Sequence, residues 1–282
     1  MRLLTIPLLC AAALPALAQK DAPETTKYRK TMPIHLELGA GINNSRYTDF
    51  GTSPINYRGF MPAVTAAIRK ETDKREVATS VFFSPGTYRM NYNDISVASK
   101  SNINLSIRQS RLYQLRVFNT ERWNLKLGGT ADIAVTMRTN PSLMNNAIGY
   151  NAFTNLMASG KISHDISTAE RHKWWFFTIK PKSRKLSWQL DAGVVNGTLA
   201  NNFIYSNSSP VYNKPSLWDS HSYKLFSGFR MSSRFDYEFE VFNRNTLKLS
   251  YIWDAMMTGK NNDNRFQQVN NMLLLSFNIK MR

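Results

Sequence analysis

Cysteine is almost missing from this 282-residue chain: its single copy, Cys10, lies in the first apolar stretch. That excludes a disulfide scaffold, and no Cys/His cluster has the spacing of a zinc site. Long apolar runs are missing too. Beyond the first 18 residues no stretch of about 18 apolar residues occurs, and mean hydropathy is −0.37, which excludes a helical membrane protein. Acidic residues are few, 19 Asp and Glu against 36 Lys and Arg, for a net charge of +17. Aromatic residues are plentiful: 12 Tyr, 16 Phe and 6 Trp argue against a disordered chain. A barrel in a lipid membrane satisfies all of these limits, because only one face of each strand has to be apolar.

The N-terminus supplies a direction. Arg2 precedes an apolar stretch from Leu3 to Leu14, followed by the small-residue pattern Ala16-Leu17-Ala18. This reads as a secretory signal over residues 1–18, cleaved before Gln19, so the mature chain is expected to carry no thiol. Export argues against nucleic acid as the partner of the positive charge. Residues 19–33 are polar and read as a flexible periplasmic tail, leaving residues 34–282 for one folded domain.

From Ile34 onward apolar residues recur at every second position, the period of a strand. In the last stretch Leu273, Leu275, Phe277, Ile279 and Met281 share one face, and Leu274, Ser276, Asn278, Lys280 and Arg282 the other. The same alternation runs through Ile34 to Ile42, Trp123 to Met137, Leu186 to Val194 and Leu247 to Ala255. The longest case keeps phase from Tyr223 to Val241. Weaker candidates at Phe60 to Ile68, Val77 to Ser84, Ile103 to Val117 and Tyr150 to Ile162 bring the count to about ten.

The predicted connections alternate in length. Short charged links fall at Thr72 to Glu76, Asn119 to Arg122 and Asn243 to Asn245. Longer Asn-, Ser-, Gly- and Tyr-rich segments fall at Asn44 to Gly59, Pro85 to Ser99, Asn140 to Gly149, Asn201 to Ser222 and Gly259 to Gln267. Aromatic residues gather near both strand ends: Phe118, Trp123, Trp188 and Phe239 near the short links, Tyr47, Phe50, Phe203, Tyr223 and Trp253 near the long ones. Two such belts suit the two boundaries of a membrane. A soluble antiparallel sandwich also has one apolar face per strand, but 15 or more residues in phase is long for its strands, which run about 3–10 residues.

With an export signal, uneven hairpins and a final alternating strand, the chain resembles a small bacterial outer-membrane β-barrel protein. The resemblance implies a closed, antiparallel, up-and-down transmembrane barrel of about ten strands, located in the outer membrane with both termini periplasmic. It also implies a monomer whose partners are outer-membrane lipids and, during assembly, the barrel-insertion machinery. The chain departs from many such proteins in ending Lys280-Met281-Arg282 rather than on an aromatic residue. The segment Ser167 to Lys185 is long for its side of the barrel. Either it is a periplasmic excursion, or Trp174 to Ile179 adds a strand and the count becomes twelve.

Candidate functional residues follow from this placement. Glu37, Arg69, Arg108, Arg116, Lys126, Asp132, Arg138, Asp191, Lys224, Arg230, Arg234, Asp236, Glu238, Glu240, Lys248, Asp254 and Lys280 fall on inward faces. In a barrel this narrow they are expected to brace one another across a nearly closed interior. Their basic excess alternatively predicts a narrow, mildly anion-preferring channel. Arg171, Lys173, Lys180, Lys182, Arg184 and Lys185, against the single acid Glu170, form a basic periplasmic segment suited to lipid headgroups or an anionic periplasmic partner. An enzyme is the competing class, with His221 and Asp219 in a long outer loop as the residues of a rim-located hydrolase. Neither a paired-aspartate motif nor an Asn-His-Ser constellation accompanies them, and no cofactor or metal is expected.

Overall fold

A computed structural model describes residues 32–50, 53–92, 95–139, 148–167, 172–174, 177–179, 183–201, 221–242, 245–258 and 265–281. The predicted export signal, residues 1–18, and the predicted tail as far as Thr31 lie outside the described residues. Among the described residues there are thirteen strands: β1 (Ile34–Asp49), β2 (Ser53–Glu71), β3 (Arg75–Tyr92), β4 (Ile95–Gln114), β5 (Trp123–Thr139), β6 (Ile148–Asp165), β7 (His172–Trp174), β8 (Phe177–Ile179), β9 (Arg184–Asn201), β10 (His221–Leu225), β11 (Phe229–Phe242), β12 (Asn245–Thr258) and β13 (Phe266–Lys280). Among the described residues the one helical element is a 3-10 turn, Arg116–Phe118.

The wall runs β1-β2-β3-β4-β5-β6-β9-β11-β12-β13, every neighbour antiparallel, and β13 returns to β1. That seam holds fifteen residue pairs, from His35 opposite Lys280 to Asp49 opposite Phe266. β10 pairs with the far half of β9 and β11 with its near half, so the two share one place and the barrel has ten. β7 and β8 pair only with each other. The extra strand considered at Trp174 to Ile179 is therefore a small hairpin outside the wall, and the twelve-strand alternative is corrected to ten.

Side chains alternate as the sequence pattern requires. Leu38, Ile133, Leu249 and Leu275 are exposed on the outer surface, while Glu37, Asp132, Lys248, Ser250 and Leu274 are buried inside. Two links at the end that carries the termini are held by side chains. Thr72 Oγ1 accepts the Arg75 N–H at 3.1 Å. Asn119 donates to the Leu115 carbonyl and accepts the Leu125 N–H at 2.7 Å, tying the end of β4 to β5.

Three expectations are corrected. The segments Asn44 to Gly59 and Pro85 to Ser99 are not loops: β1 and β2, and β3 and β4, continue through them as paired strands. On β1 and β2 the outward row turns polar there, at Asn44, Arg46, Asn56 and Arg58, while the backbone ladder persists. Tyr47 does not join an outer aromatic belt, because it points into the barrel and is 2% exposed. The unbroken strand from Tyr223 to Val241 is interrupted at 226–228, where Phe226 and Gly228 have φ of 55° and 89°. Asn196 spans this break, its carbonyl accepting the Ser227 N–H at 3.0 Å and its amide donating to the Gly228 carbonyl at 3.3 Å. On the other edge of β9, Leu156 faces Val195 but Met157 faces Gly193, a bulge that leaves Val194 without an opposite residue. Inward parity then passes from Ser187, Gln189 and Asp191 to Asn196 and Thr198.

Candidate functional site

Among the described residues, charged side chains converge on a common volume in the lumen. They lie in tiers. Nearest the termini, the Arg69 guanidinium grips the Glu238 carboxylate with two parallel hydrogen bonds of 2.6 and 3.0 Å. Lys185 reaches Glu71 at 2.5 Å, Lys126 touches Glu71 at 3.1 Å and Glu76 at 3.4 Å, and Lys161 reaches Glu76 at 2.6 Å. Lys248 pairs with Glu37 at 2.5 Å. These contacts join β2 to β9 and β11, and β3 to β6, strands that are not neighbours in the wall.

The middle tier is built on two arginines. Arg230 holds Asp254 with bonds of 3.2 and 2.9 Å and Asp132 with one of 2.5 Å. Arg108 meets Asp132 at 3.2 Å and lies 3.7 Å from both Asp191 and Asp254. Gln189 and Thr130 complete the Asp191 carboxylate at 2.9 and 3.4 Å. Buried charge of either sign is costly unless paired, and bidentate arginine contacts meet that cost with directed hydrogen bonds.

Toward the far end the interior becomes aromatic. Tyr47 stacks on Tyr57 with centroids 5.1 Å apart and meets Tyr88 edge-on at 4.5 Å. Arg138 lies over the rings of Tyr47 and Phe266 and pairs with Asp49 at 2.9 Å. Tyr88 shares a 2.5 Å hydrogen bond with Ser45 and receives the Gln268 amide at 3.2 Å. Between this tier and the arginines a cavity of about 50 Å³ is lined by Arg108, Arg230, Arg234 and Asp254 together with Phe82, Met272 and Leu274. It offers room for a few waters.

No family model and no curated protein matches this chain. Solved structures do. The outer membrane protease OmpT from Escherichia coli superposes with a TM-score of 0.50 at 7% sequence identity, covering 88% of this chain and 97% of that one. The chain has the fold of a small outer-membrane β-barrel protein. The transport unit of the autotransporter AIDA-I from Escherichia coli is also similar, at TM-score 0.45 and 7% identity over 89% of this chain and 90% of that one. So is the Neisserial surface protein NspA, at 0.34 and 10% over 88% and 97%. At such identities the likeness extends to the fold alone, and proteolysis belongs to OmpT.

In this outer-membrane barrel fold, Arg69, Lys126, Asp132, Arg230, Asp236 and Lys248 lie buried inside, and Arg108 is partly buried among them, as their parity predicts. Asp236 accepts a hydrogen bond from Ser250 at 2.6 Å. Lys224, opposite inward-facing Thr198, is exposed and takes no part in the tiers. Arg116 leaves the inward face, because its segment coils into the 3-10 turn and exposes it. The basic segment divides. Arg171, Lys180 and Lys182 lie outside the described residues, as do the side chain of Lys173 and, in the outer loop, Asp219. Arg184 starts β9, but Lys185 turns into the lumen onto Glu71 and is corrected from periplasmic patch to ion-pair partner. His221 opens β10 opposite Asn201. The proposed hydrolase pair therefore has no described geometry.

Sequence reading missed Glu71, Glu76, Lys161 and Asp49. Glu76 ends the charged link Thr72 to Glu76, and Glu71 lies just before it, although Glu71 shares the parity of Arg69. Lys161 sits in a weak candidate strand to which no phase was given, and Asp49 in a segment read as loop.

Proposed function

We propose that this chain is a monomeric outer-membrane barrel that does not conduct: a scaffold whose lumen is sealed and whose working surface is the end opposite the termini. One observation carries the reading. Arg108 and Arg230 are clamped between Asp132, Asp191 and Asp254, carboxylates contributed by β5, β9 and β12, so the lumen is crossed by fixed side chains. The basic excess that suggested an anion-preferring channel is largely matched by carboxylates. Its support for a pore falls with it.

The outer surface supports the membrane assignment. Apolar side chains such as Phe60, Val64 and Ile68, or Leu273 and Leu275, stand exposed in rows around the wall. A contiguous apolar surface of that kind is costly in water and satisfied by lipid. Lipids are then the lateral partners, and the barrel-insertion machinery the assembly partner. A closed wall offers no strand edge for a second copy to extend, which supports a monomer. With the termini periplasmic, the far end of the wall, which carries Asp49, Thr139 and Phe266, faces the cell exterior.

Single-channel recording of the refolded protein in a planar bilayer tests the sealed lumen. The unmodified barrel is expected to be silent, and an Arg108→Ala/Arg230→Ala variant that still inserts is expected to show small conductance steps. Stable anion-preferring steps from the unmodified barrel would overturn the reading.

A further inference from the structure

On the outside of the wall three arginines stand side by side. Arg46 in β1 is directly opposite Arg58 in β2, and Arg58 is directly opposite Arg89 in β3. All three are exposed and face outward, while Tyr47, Tyr57 and Tyr88 beside them point inward. Adjacent strands lie about 4.8 Å apart, so the three side chains leave the wall within about 10 Å of one another. Their guanidinium groups have no hydrogen-bond or ion-pair partner among the described residues. The outward rows of β1, β2 and β3 carry no acidic residue whose side chain is described, since Glu37, Asp49, Glu71 and Glu76 all face the lumen.

Like charges directly opposite one another destabilise a sheet. In the lumen Arg69, Arg108, Arg138 and Arg230 are each paired with a carboxylate; here three guanidinium groups share one row with no counter-charge among the described residues. Their level along the strands identifies the missing anion. Two residues from Arg58 the row turns apolar at Phe60, which is 68% exposed, and it stays largely apolar to Ile68. Eight residues of strand span about 26 Å, which at a tilt of about 40° is about 20 Å of depth, most of the roughly 25 Å apolar band of a membrane barrel. The arginines begin just past that band, at the depth of lipid headgroups, on the side away from the termini. Guanidinium matches phosphate oxygens in a two-pronged fashion, and three in a row can hold an anion larger than one carboxylate.

We propose that Arg46, Arg58 and Arg89 form a binding site for the phosphate groups of a lipid headgroup in the outer leaflet. This rests on the membrane placement above. It does not depend on whether the lumen conducts.

The full chain, refolded in zwitterionic detergent, is mixed with a diphosphorylated glycolipid, with the same glycolipid after dephosphorylation, or with inorganic phosphate. Bound lipid is counted by mass spectrometry of the intact complex. The phosphorylated lipid is expected to be retained, the dephosphorylated one lost, and inorganic phosphate at millimolar concentration unable to displace it. Arg46→Gln/Arg58→Gln/Arg89→Gln is expected to weaken retention at least about tenfold. Lys70→Gln/Arg111→Gln, at the opposite end of the wall, should leave it unchanged. Equal retention by the triple variant, or equal binding of the dephosphorylated lipid, would overturn the proposal. Ready displacement by inorganic phosphate would overturn the lipid as its source. A chain that folds and stays dispersed without detergent would fail the membrane reading before any lipid is added.

Discussion

Arg69 and Glu238 meet through two parallel hydrogen bonds although 169 residues separate them and their strands, β2 and β11, stand four places apart around the wall. The pair is a strut across the lumen. Both side chains are about 8% exposed, so each charge depends on the other for solvation. Arg69 also lies 3.5 Å from Glu71, which links this strut to the lysines of β5 and β9.

Removing one partner alone should therefore be costly. Glu238→Gln is expected to lose about 3–5 kcal/mol, because Arg69 keeps its charge without its principal counter-ion. Arg69→Met/Glu238→Leu should recover most of that loss. Denaturant titration of the vesicle-inserted barrel, read as the electrophoretic shift between folded and unfolded forms, measures both; equal instability of the two variants would contradict the strut.

The outward phase makes a separate prediction at Leu249, which is exposed and belongs to the apolar row of β12. Leu249→Arg should cost about 2–4 kcal/mol if the residue lies near the bilayer midplane. Leu249→Val should change stability little. The same titration in vesicles decides, and tolerance of arginine there would mean that this face does not meet lipid.

At the interruption between β10 and β11, Gly228 has φ of 89°, and a side chain there would run into the backbone carbonyl of Met257. Gly228→Ala is expected to lose about 1–3 kcal/mol from backbone strain. Hydrogen exchange should show faster opening at Ser227 and Phe229 in the variant while β1 and β13 stay protected.

Tyr88 ends in a hydroxyl buried among Ser45 and Gln268. Tyr88→Phe keeps the ring packed on Tyr47 but strands those partners, at a cost of about 1–3 kcal/mol. Near-ultraviolet circular dichroism should report an intact aromatic cluster, which separates loss of the hydrogen bonds from collapse of the end of the barrel.

The wall was legible wherever one face had to meet an apolar medium. Leu273 and Leu274 are chemically the same, yet their neighbours' alternation sends one outward and the other inward, as found. The signal fades at Asn44 to Tyr47, where both faces are polar and residues rich in turn preference nevertheless pair along the hairpin. The break at Phe226 leaves no trace in the pattern for another reason: Leu225 and Phe229 fall on the same face, so periodicity passes through it unchanged. Inward charge was legible by parity at Arg69, Asp132 and Arg230. Who pairs with whom was not, because Lys185 and Glu71 meet across 114 residues through closure of the wall, which no local pattern encodes.

The seam between β1 and β13 sets the timing of this fold. Its fifteen pairs join residues such as Leu36 and Ile279, near opposite ends of the sequence, and the Met281 N–H closes it on the Ile34 carbonyl at 2.8 Å. Contacts so distant along the chain carry a large loop-closure cost and form slowly. Until they form, two strand edges stay open and the lumen struts have only part of their geometry. The incomplete barrel is thus the species most exposed to misassociation, and whatever shortens its lifetime favours the closed state.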